Sequence, residues 1–369
     1  VLSGFTVPAL RAQADKLHLH MGMNIEDRFL DVAYSLATTR THFRKRLVVF
    51  AKGKSDLLDS LASYGRTGEL PAGAVSSADE RDKECRLALL FTGQGSQLPG
   101  MGQGLYGSNP VFKQALDDIT QRFGGLEKPL LQVMFADAAL LNRTDFTQPA
   151  LFALEVALWR VWESWGVQPD FLLGHSIGEI AAAHVAGIFD LDDACRLVAA
   201  RGRLMQALPA GGGMASLEAS EADIGAMGSY LRDGAVQAAL AALDLSARIS
   251  LAGLNAPQQT VVSGDIDSID KVVAHFKQQQ RKAKRLEVSH AFHSHLLEPM
   301  LAEFRQVAQS LSYAAPKLTV VSSLTGQLDK QGQMTQPEYW VQQARQAVRF
   351  NAGMRTLYEQ GVNTYLELG

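Results

Sequence analysis

Cysteine is nearly missing from this chain: its 369 residues hold only Cys85 and Cys195, too few for a disulfide framework or a thiolate metal site. An excess of either charge is missing too. The 35 Lys and Arg face 38 Asp and Glu, a formal net charge of −3, where a nucleic-acid binder would carry a large basic surplus. No uninterrupted apolar run approaches the roughly 18–20 residues needed to span a bilayer. Nor does a basic segment followed by an apolar one open the chain, as it would in a signal peptide. Together these absences point to a reducing, cytoplasmic setting with neither nucleic acid nor membrane as partner. Hydrophobic residues at 47% and charged residues at 20% exclude a disordered or fibrous chain. The length implies two or three folded units of roughly 100–200 residues each. Starting at Val1 and stopping at Leu366-Glu367-Leu368-Gly369, the chain reads as a segment of a longer polypeptide.

Residues 1–85 read as a separate α/β unit. Helical spacing covers Leu10–Leu17, Ile25–Leu36 and Ser55–Tyr64, Arg46–Ala51 has a strand pattern, and the polar stretch Thr67–Lys83 reads as a linker. From Arg86 onward, apolar strands (Arg86–Phe91, Phe171–Leu173) alternate with helices (Pro110–Phe123, Ala150–Trp165, Ala181–Ala186, Leu191–Leu208), which predicts a parallel sheet. The pattern changes at Gly211-Gly212-Gly213. There a βαββαβ order is expected: strand Met214–Leu217, a helix from Ser220, strands Arg248–Gly253 and Gln259–Ser263, helix Ile266–Gln278, and strand Ala283–Val288. That is the ferredoxin-like arrangement, with Ala235–Leu243 as an extra alanine-rich helix. Helix Leu297–Leu311 and strands Leu318–Ser322 and Thr364–Leu368 return to the first pattern. The expected units are therefore residues 1–85, a large subdomain in two parts (86–212 and 288–369), and a small subdomain over 213–287.

The strongest chemical signal is Gly174-His175-Ser176-Ile177-Gly178, a G-x-S-x-G pentapeptide between an apolar strand and a helix. Glycines on both sides permit a sharp turn that presents Ser176, and the following helix N-terminus favours nearby negative charge. A serine nucleophile needs a base, and Ser289-His290-Ala291-Phe292-His293-Ser294-His295 offers three histidines, among which the bare sequence does not choose. No Cys, Asp or Glu completes a metal set with them. Gly93-Gln94-Gly95-Ser96-Gln97 can lend backbone N–H groups to an oxyanion, together with that of Ile177. Gly102-Gln103-Gly104-Leu105-Tyr106-Gly107 matches G-x-G-x-x-G but lacks a strand immediately before it, so a dinucleotide reading is disfavoured. Either arginine of Arg201-Gly202-Arg203 could pair bidentately with a substrate carboxylate if it faces a pocket. The basic run Lys277, Arg281, Lys282, Lys284, Arg285 reads as a solvated face or a docking surface for an acidic partner.

Taken together, Phe91–Gln97, Gly174–Glu179, Arg201–Gln206 and His290–Ser294 occur in order at a spacing that resembles the acyltransferase domain of modular type I polyketide synthases, within the malonyl-CoA:acyl carrier protein transacylase family. Phe146–Ala150 and Asn255–Gly264 fit as well. The resemblance runs from about residue 86 to the end, and the first 85 residues resemble the linker between a ketosynthase and its acyltransferase. It implies an α/β fold: an α/β-hydrolase-like parallel-sheet core, an inserted ferredoxin-like subdomain, and an N-terminal α/β linker domain. It also implies Ser176 as nucleophile, His293 as base and then acid, and the N–H groups of Gln94 and Ile177 as oxyanion hole. Arg201 would clamp the substrate carboxylate, with Gln148, His175, Phe292, His290 and Asn255 around the substrate. Backbone carbonyls, expected near Ser322 and Ser323, would orient the histidine in place of an aspartate.

The implied substrate is a coenzyme A thioester, malonyl-CoA foremost because Phe292 and Ile177 fit the malonyl form of the motifs. The implied acceptor is the phosphopantetheine thiol of an acyl carrier protein, with the ketosynthase as neighbour and with no metal or bound cofactor. The small subdomain is about ten residues longer than usual near Ala235–Leu243. A serine hydrolase shares G-x-S-x-G, and the two differ in whether water or only a thiol releases the acyl-serine.

Overall fold

The computed structural model describes residues 1–77, 85–220, 245 and 247–369. Contacts divide the chain into two compact units, Val1–Glu84 and Cys85–Gly369.

In the first unit, strands β1 (Leu2–Gly4), β2 (Lys45–Val49) and β3 (Ala74–Ser76) form an antiparallel sheet in that order. Helices Val7–Met23 and Lys54–Thr67 bury Leu10, Ala14, Met21, Leu61 and Tyr64 together with Leu47. β3 corrects the linker expectation for Thr67–Lys83. A three-residue edge strand is too short to show alternation, and its polar neighbours hide it. Residues 78–83 of that stretch lie outside the described residues.

The second unit is built on a parallel sheet of β4 (Leu87–Phe91), β5 (Phe171–Gly174), β10 (Thr319–Val321) and β11 (Thr364–Leu368), in the order β10-β5-β4-β11. Its two central strands are unbroken apolar runs because helices cover both faces. Leu89, Phe91 and Leu172 enter the large core on one face, and Ala88, Leu173, Phe171 and Val321 enter a smaller core on the other. Helix Thr144–Ser164 starts six residues before the expected Ala150 and carries Pro149 inside it. Burial of Phe146, Ala150 and Leu151 outweighs the one backbone donor that proline removes. The short helices Gln103–Ser108, Leu130–Ala136 and Ala138–Leu141 had no visible period.

β6 (Gly212–Leu217), β7 (Ile249–Ala256), β8 (Gln259–Asp265) and β9 (Ala283–Arg285) make an antiparallel sheet in the order β7-β8-β6-β9, the ferredoxin-like order. Helix Ile266–Gln278 packs Ile269, Val272 and Phe276 against it. β9 stops three residues short of the expected Val288. The helix expected from Ser220 and the alanine-rich helix Ala235–Leu243 lie outside the described residues. Two hydrogen bonds tie this sheet to the large subdomain: Leu254 N–H to the Val348 carbonyl at 2.8 Å, and Val348 N–H to the Ala252 carbonyl at 2.9 Å. Among the described residues, no helix is long and apolar enough to cross a membrane.

Candidate active site

Three loops converge at the carboxyl ends of the parallel strands, where open α/β sheets bind ligands. β5 ends at Gly174 and the chain turns at once into helix Gly178–Ala186. Ser176, at the tip, sits at φ 55°, a left-handed conformation that costs a non-glycine residue energy. Gly178 makes the turn possible: a Cβ there would lie 2.2 Å from the Thr92 carbonyl oxygen. Gln343 holds the strained serine from below, its Nε2 donating to the Ser176 carbonyl at 2.7 Å.

Of the three candidate histidines, His293 reaches the serine, with Nε2 2.7 Å from Ser176 Oγ. It too has φ 55°. Its Nδ1 lies 2.8 Å from the Gln346 carbonyl, which can only accept, so Nδ1 carries the proton and Nε2 is free to take the serine's. Gln346 caps the C-terminus of helix Pro337–Arg345, whose negative dipole end suits an imidazolium. This corrects the expectation placed on Ser322 and Ser323. Ser323 instead donates through N–H and Oγ, at 2.6 and 2.5 Å, to the buried carboxylate of Glu179, which also accepts from the Tyr339 hydroxyl at 2.6 Å. Ser322 hydrogen-bonds to Tyr339.

A cavity of about 150 Å³ opens beside the pair, lined by Ser176, His293, Gln94, Gln148, His175, Arg201, Asn255 and Phe292, with Met214, Ala252 and Val261 as apolar walls. Arg201 is 1% exposed. One terminal nitrogen donates to Ser176 Oγ at 3.1 Å, its Nε has no partner, and among the described residues no carboxylate lies within ion-pair distance. Burial, opposed by the charge of Glu179, lowers its pKa to about 10, so it stays cationic. Arg203 faces outward and pairs with Glu303 at 2.7 Å. His175 Nε2 lies 3.0 Å from Asn255 Oδ1, bridging the elbow to β7. Gln148 Oε1 is buried without a partner. Among the described residues, the backbone N–H groups of Gln94 and Ile177 find no acceptor.

Two predicted site residues do not line the cavity. The Ile177 side chain is wholly buried in the core, leaving only its N–H toward the site. His290 turns away, its Nε2 3.1 Å from the Leu208 carbonyl, and supports the Phe292 ring from behind at 6.3 Å between centroids. Gln343, Gln346 and Glu179 are supporting groups that sequence reasoning missed; of these, only Glu179 carried a sequence signal, being adjacent to the elbow. The G-x-G-x-x-G segment begins a short helix after Gly102, with no strand before it. No cluster of three metal-ligating side chains occurs among the described residues.

Burial, then the charges of Arg201 and His175, lowers the His293 pKa from 6.5 to about 3. Burial lowers that of His184 to about 4. Both are neutral when folded and gain protons on unfolding below pH 6.5, so their stabilisation is complete above that pH and declines as pH falls toward 3 or 4. Each should contribute a slope approaching about 1.4 kcal/mol per pH unit near pH 5, which His293 sustains to about pH 4 while that of His184 fades. Thermal melts across that range should show Tm dropping, less steeply for His184→Gln; a flat Tm from pH 7 to 4 would contradict it.

The family model described as acyl transferase domain matches residues 88–369. A second model, described as CurL-like, PKS C-terminal, matches residues 1–61. The PKS-NRPS hybrid synthetase acdB of Aspergillus candidus is 49% identical over all of this chain, which spans 14% of that protein's length. The acyltransferase domain from the second module of the salinomycin polyketide synthase is 42% identical, with a TM-score of 0.78 over 100% of this chain and 82% of that one. The SpnD acyl transferase domain, solved in complex with 2-(pent-4-yn-1-yl)malonyl, is 30% identical with a TM-score of 0.84 over 100% and 83%. The family match runs from the first strand of the parallel sheet to its last, so the chain belongs to the acyl transferase domain family, as the acyltransferase domain of a modular type I polyketide synthase.

Proposed function

We propose that this domain takes a malonyl group from coenzyme A onto Ser176 and passes it to the phosphopantetheine thiol of an acyl carrier protein. The observation that carries the reading is Arg201: a buried cation with an unpartnered Nε, beside the nucleophile, with no carboxylate within ion-pair distance among the described residues. Burying such a charge is costly unless a ligand pairs with it, and a free carboxylate on the acyl group does so bidentately. In acylation His293 Nε2 takes the Ser176 proton as Oγ attacks the thioester carbonyl. The N–H groups of Gln94 and Ile177 receive the oxyanion, and His293 returns its proton to the departing coenzyme A thiolate. The second half reverses these steps, with the carrier thiol as nucleophile, and needs no metal or bound cofactor. The first unit serves as the linker to a neighbouring ketosynthase, and the whole acts in polyketide assembly.

Malonyl is favoured over methylmalonyl because Phe292, beside the base, fills space that an α-methyl branch requires. Shape exclusion of one methyl is worth about 1–3 kcal/mol, so malonyl-CoA should exceed methylmalonyl-CoA by at least about tenfold in kcat/KM. The double variant His290→Tyr, Phe292→Ser should narrow that ratio at some cost in rate. Equal loading of the two thioesters by the unmodified protein, measured in competition, would overturn the malonyl assignment.

A further inference from the structure

Glu155 is a charge-bearing residue in the wrong place. It lies midway along helix Thr144–Ser164, fully buried, with Phe152, Ala153 and Val156 buried on the same helix. Groups of this kind persist when their hydrogen bonds do something. One oxygen, Oε1, is 2.9 Å from Thr92 Oγ1; the other, Oε2, has no partner. Thr92 Oγ1 is in turn 3.0 Å from Ser96 Oγ, and Ser96 Oγ donates to the Gly93 carbonyl at 3.1 Å. That carbonyl belongs to the peptide whose N–H is Gln94's.

Counting protons favours one state of the chain. Three contacts require three hydroxyl protons, and Thr92 and Ser96 supply two. A protonated Glu155 supplies the third: Oε1–H donates to Thr92, Thr92 to Ser96, and Ser96 to Gly93, leaving only a carbonyl oxygen unpartnered. An ionised Glu155 would take the Thr92 proton, leave the one Ser96 proton to serve either Thr92 or the Gly93 carbonyl so that one of those two contacts holds no hydrogen, and leave a buried charge half satisfied. Burial works in the same direction, holding the carboxyl well above the usual carboxylate range against the Thr92 donors, with no charged side chain contributing.

We propose that Glu155 is a neutral carboxylic acid and a positioning residue: it orders a hydrogen-bond relay through Thr92 and Ser96 that fixes the Gly93–Gln94 peptide and aims its N–H at the developing oxyanion. Each donor in such a chain strengthens the next, and a donor to a peptide carbonyl polarises that peptide's N–H. The inference rests on the acyl-transfer reading, in which Gln94 N–H is an oxyanion donor.

The test uses the whole chain with two probes, malonyl-CoA and a fluorophosphonate that modifies any activated serine, following Ser176 modification by quenched intact mass. Losing one oxyanion donor outright costs about 10²–10³-fold in rate, so misdirecting one should slow both reactions about 10- to 100-fold in Glu155→Leu and in Ser96→Ala. The apparent affinity for malonyl-CoA should stay within about threefold, and Glu155→Gln, whose amide can donate to Thr92, should restore the rate. The double variant Glu155→Leu, Ser96→Ala should be no slower than the slower single one, because both cut one relay. The infrared difference between the unmodified protein and Glu155→Gln at pH 7 should contain the carbonyl stretch of a protonated carboxylic acid. Ser96→Ala lies on a partly exposed loop, so it answers even if Glu155→Leu does not fold. Unmodified rates in Ser96→Ala, a loss confined to thioester affinity, or a carboxylate band in place of the acid band would overturn the proposal. If the unmodified chain accepts no acyl group from malonyl- or methylmalonyl-CoA, the transferase reading fails alone, and the phosphonylation rates still decide the role of Glu155.

Discussion

Ser176→Ala should leave the chain folded and unable to hold an acyl group. Incubated with malonyl-CoA, quenched and weighed intact, the unmodified protein should gain one malonyl unit and the variant none. Release of coenzyme A should drop by about three orders of magnitude or more, as it does when a nucleophile acting in concert with its base is lost. The expected cost in stability is small, within about 1 kcal/mol, because the hydroxyl bonds only to His293 and Arg201, both members of the site, and fills no core space. The left-handed conformation of residue 176 is imposed from outside, by the close approach of Gly178 to Thr92 and by the Gln343 amide, so alanine inherits it. A variant that still carries a covalent malonyl group after denaturation would move the nucleophile elsewhere.

The elbow was legible in the sequence because everything that makes it is local: an apolar strand, two glycines, a helix. The parallel sheet was legible for a related reason, since strands such as Leu87–Phe91 are buried on both faces and read as continuous apolar runs. Composition and spacing alone did not choose the base, which the family resemblance placed at His293. His290, His293 and His295 share a loop and a composition, and only three-dimensional placement sends one ring to the serine, one to the Leu208 carbonyl, and the third into a 3₁₀ turn.

The orienting acceptor was less legible still. A backbone carbonyl has no side-chain signature, so Ser322 and Ser323 drew attention for their position while Gln346, 53 residues beyond His293, does the work. Glu155 was invisible for the opposite reason: in a helical stretch a single acid reads as a solvated position, and only packing reveals it to be wholly enclosed.

Replacing Arg201 with alanine should separate acyl groups that carry a free carboxylate from those that do not. The guanidinium spends one hydrogen bond on Ser176 Oγ and leaves Nε without a partner, so on the proposed function a malonyl carboxylate would complete its pairing. A charge-assisted contact of this kind is worth about 1.5–3 kcal/mol, so kcat/KM for malonyl-CoA relative to acetyl-CoA should fall about 10- to 100-fold. Arg203 offers no substitute, because it faces solvent and is already paired with Glu303. The same substitution should act on the base. Arg201 is the second cause, after burial, of the low His293 pKa, so its loss lets the imidazolium form more readily and raises that pKa from about 3. The base would then be protonated at higher pH, and the acid limb of kcat/KM for acetyl-CoA, which never used the clamp, should move upward. Free malonate gives a third reading without catalysis: it should raise the Tm of the unmodified protein by binding the folded state, and leave that of Arg201→Ala unchanged. Equal losses for the two thioesters, with an unmoved acid limb and malonate stabilising both proteins alike, would place the carboxylate away from Arg201 and remove the observation on which the reading of a carboxylate-bearing acyl group stands.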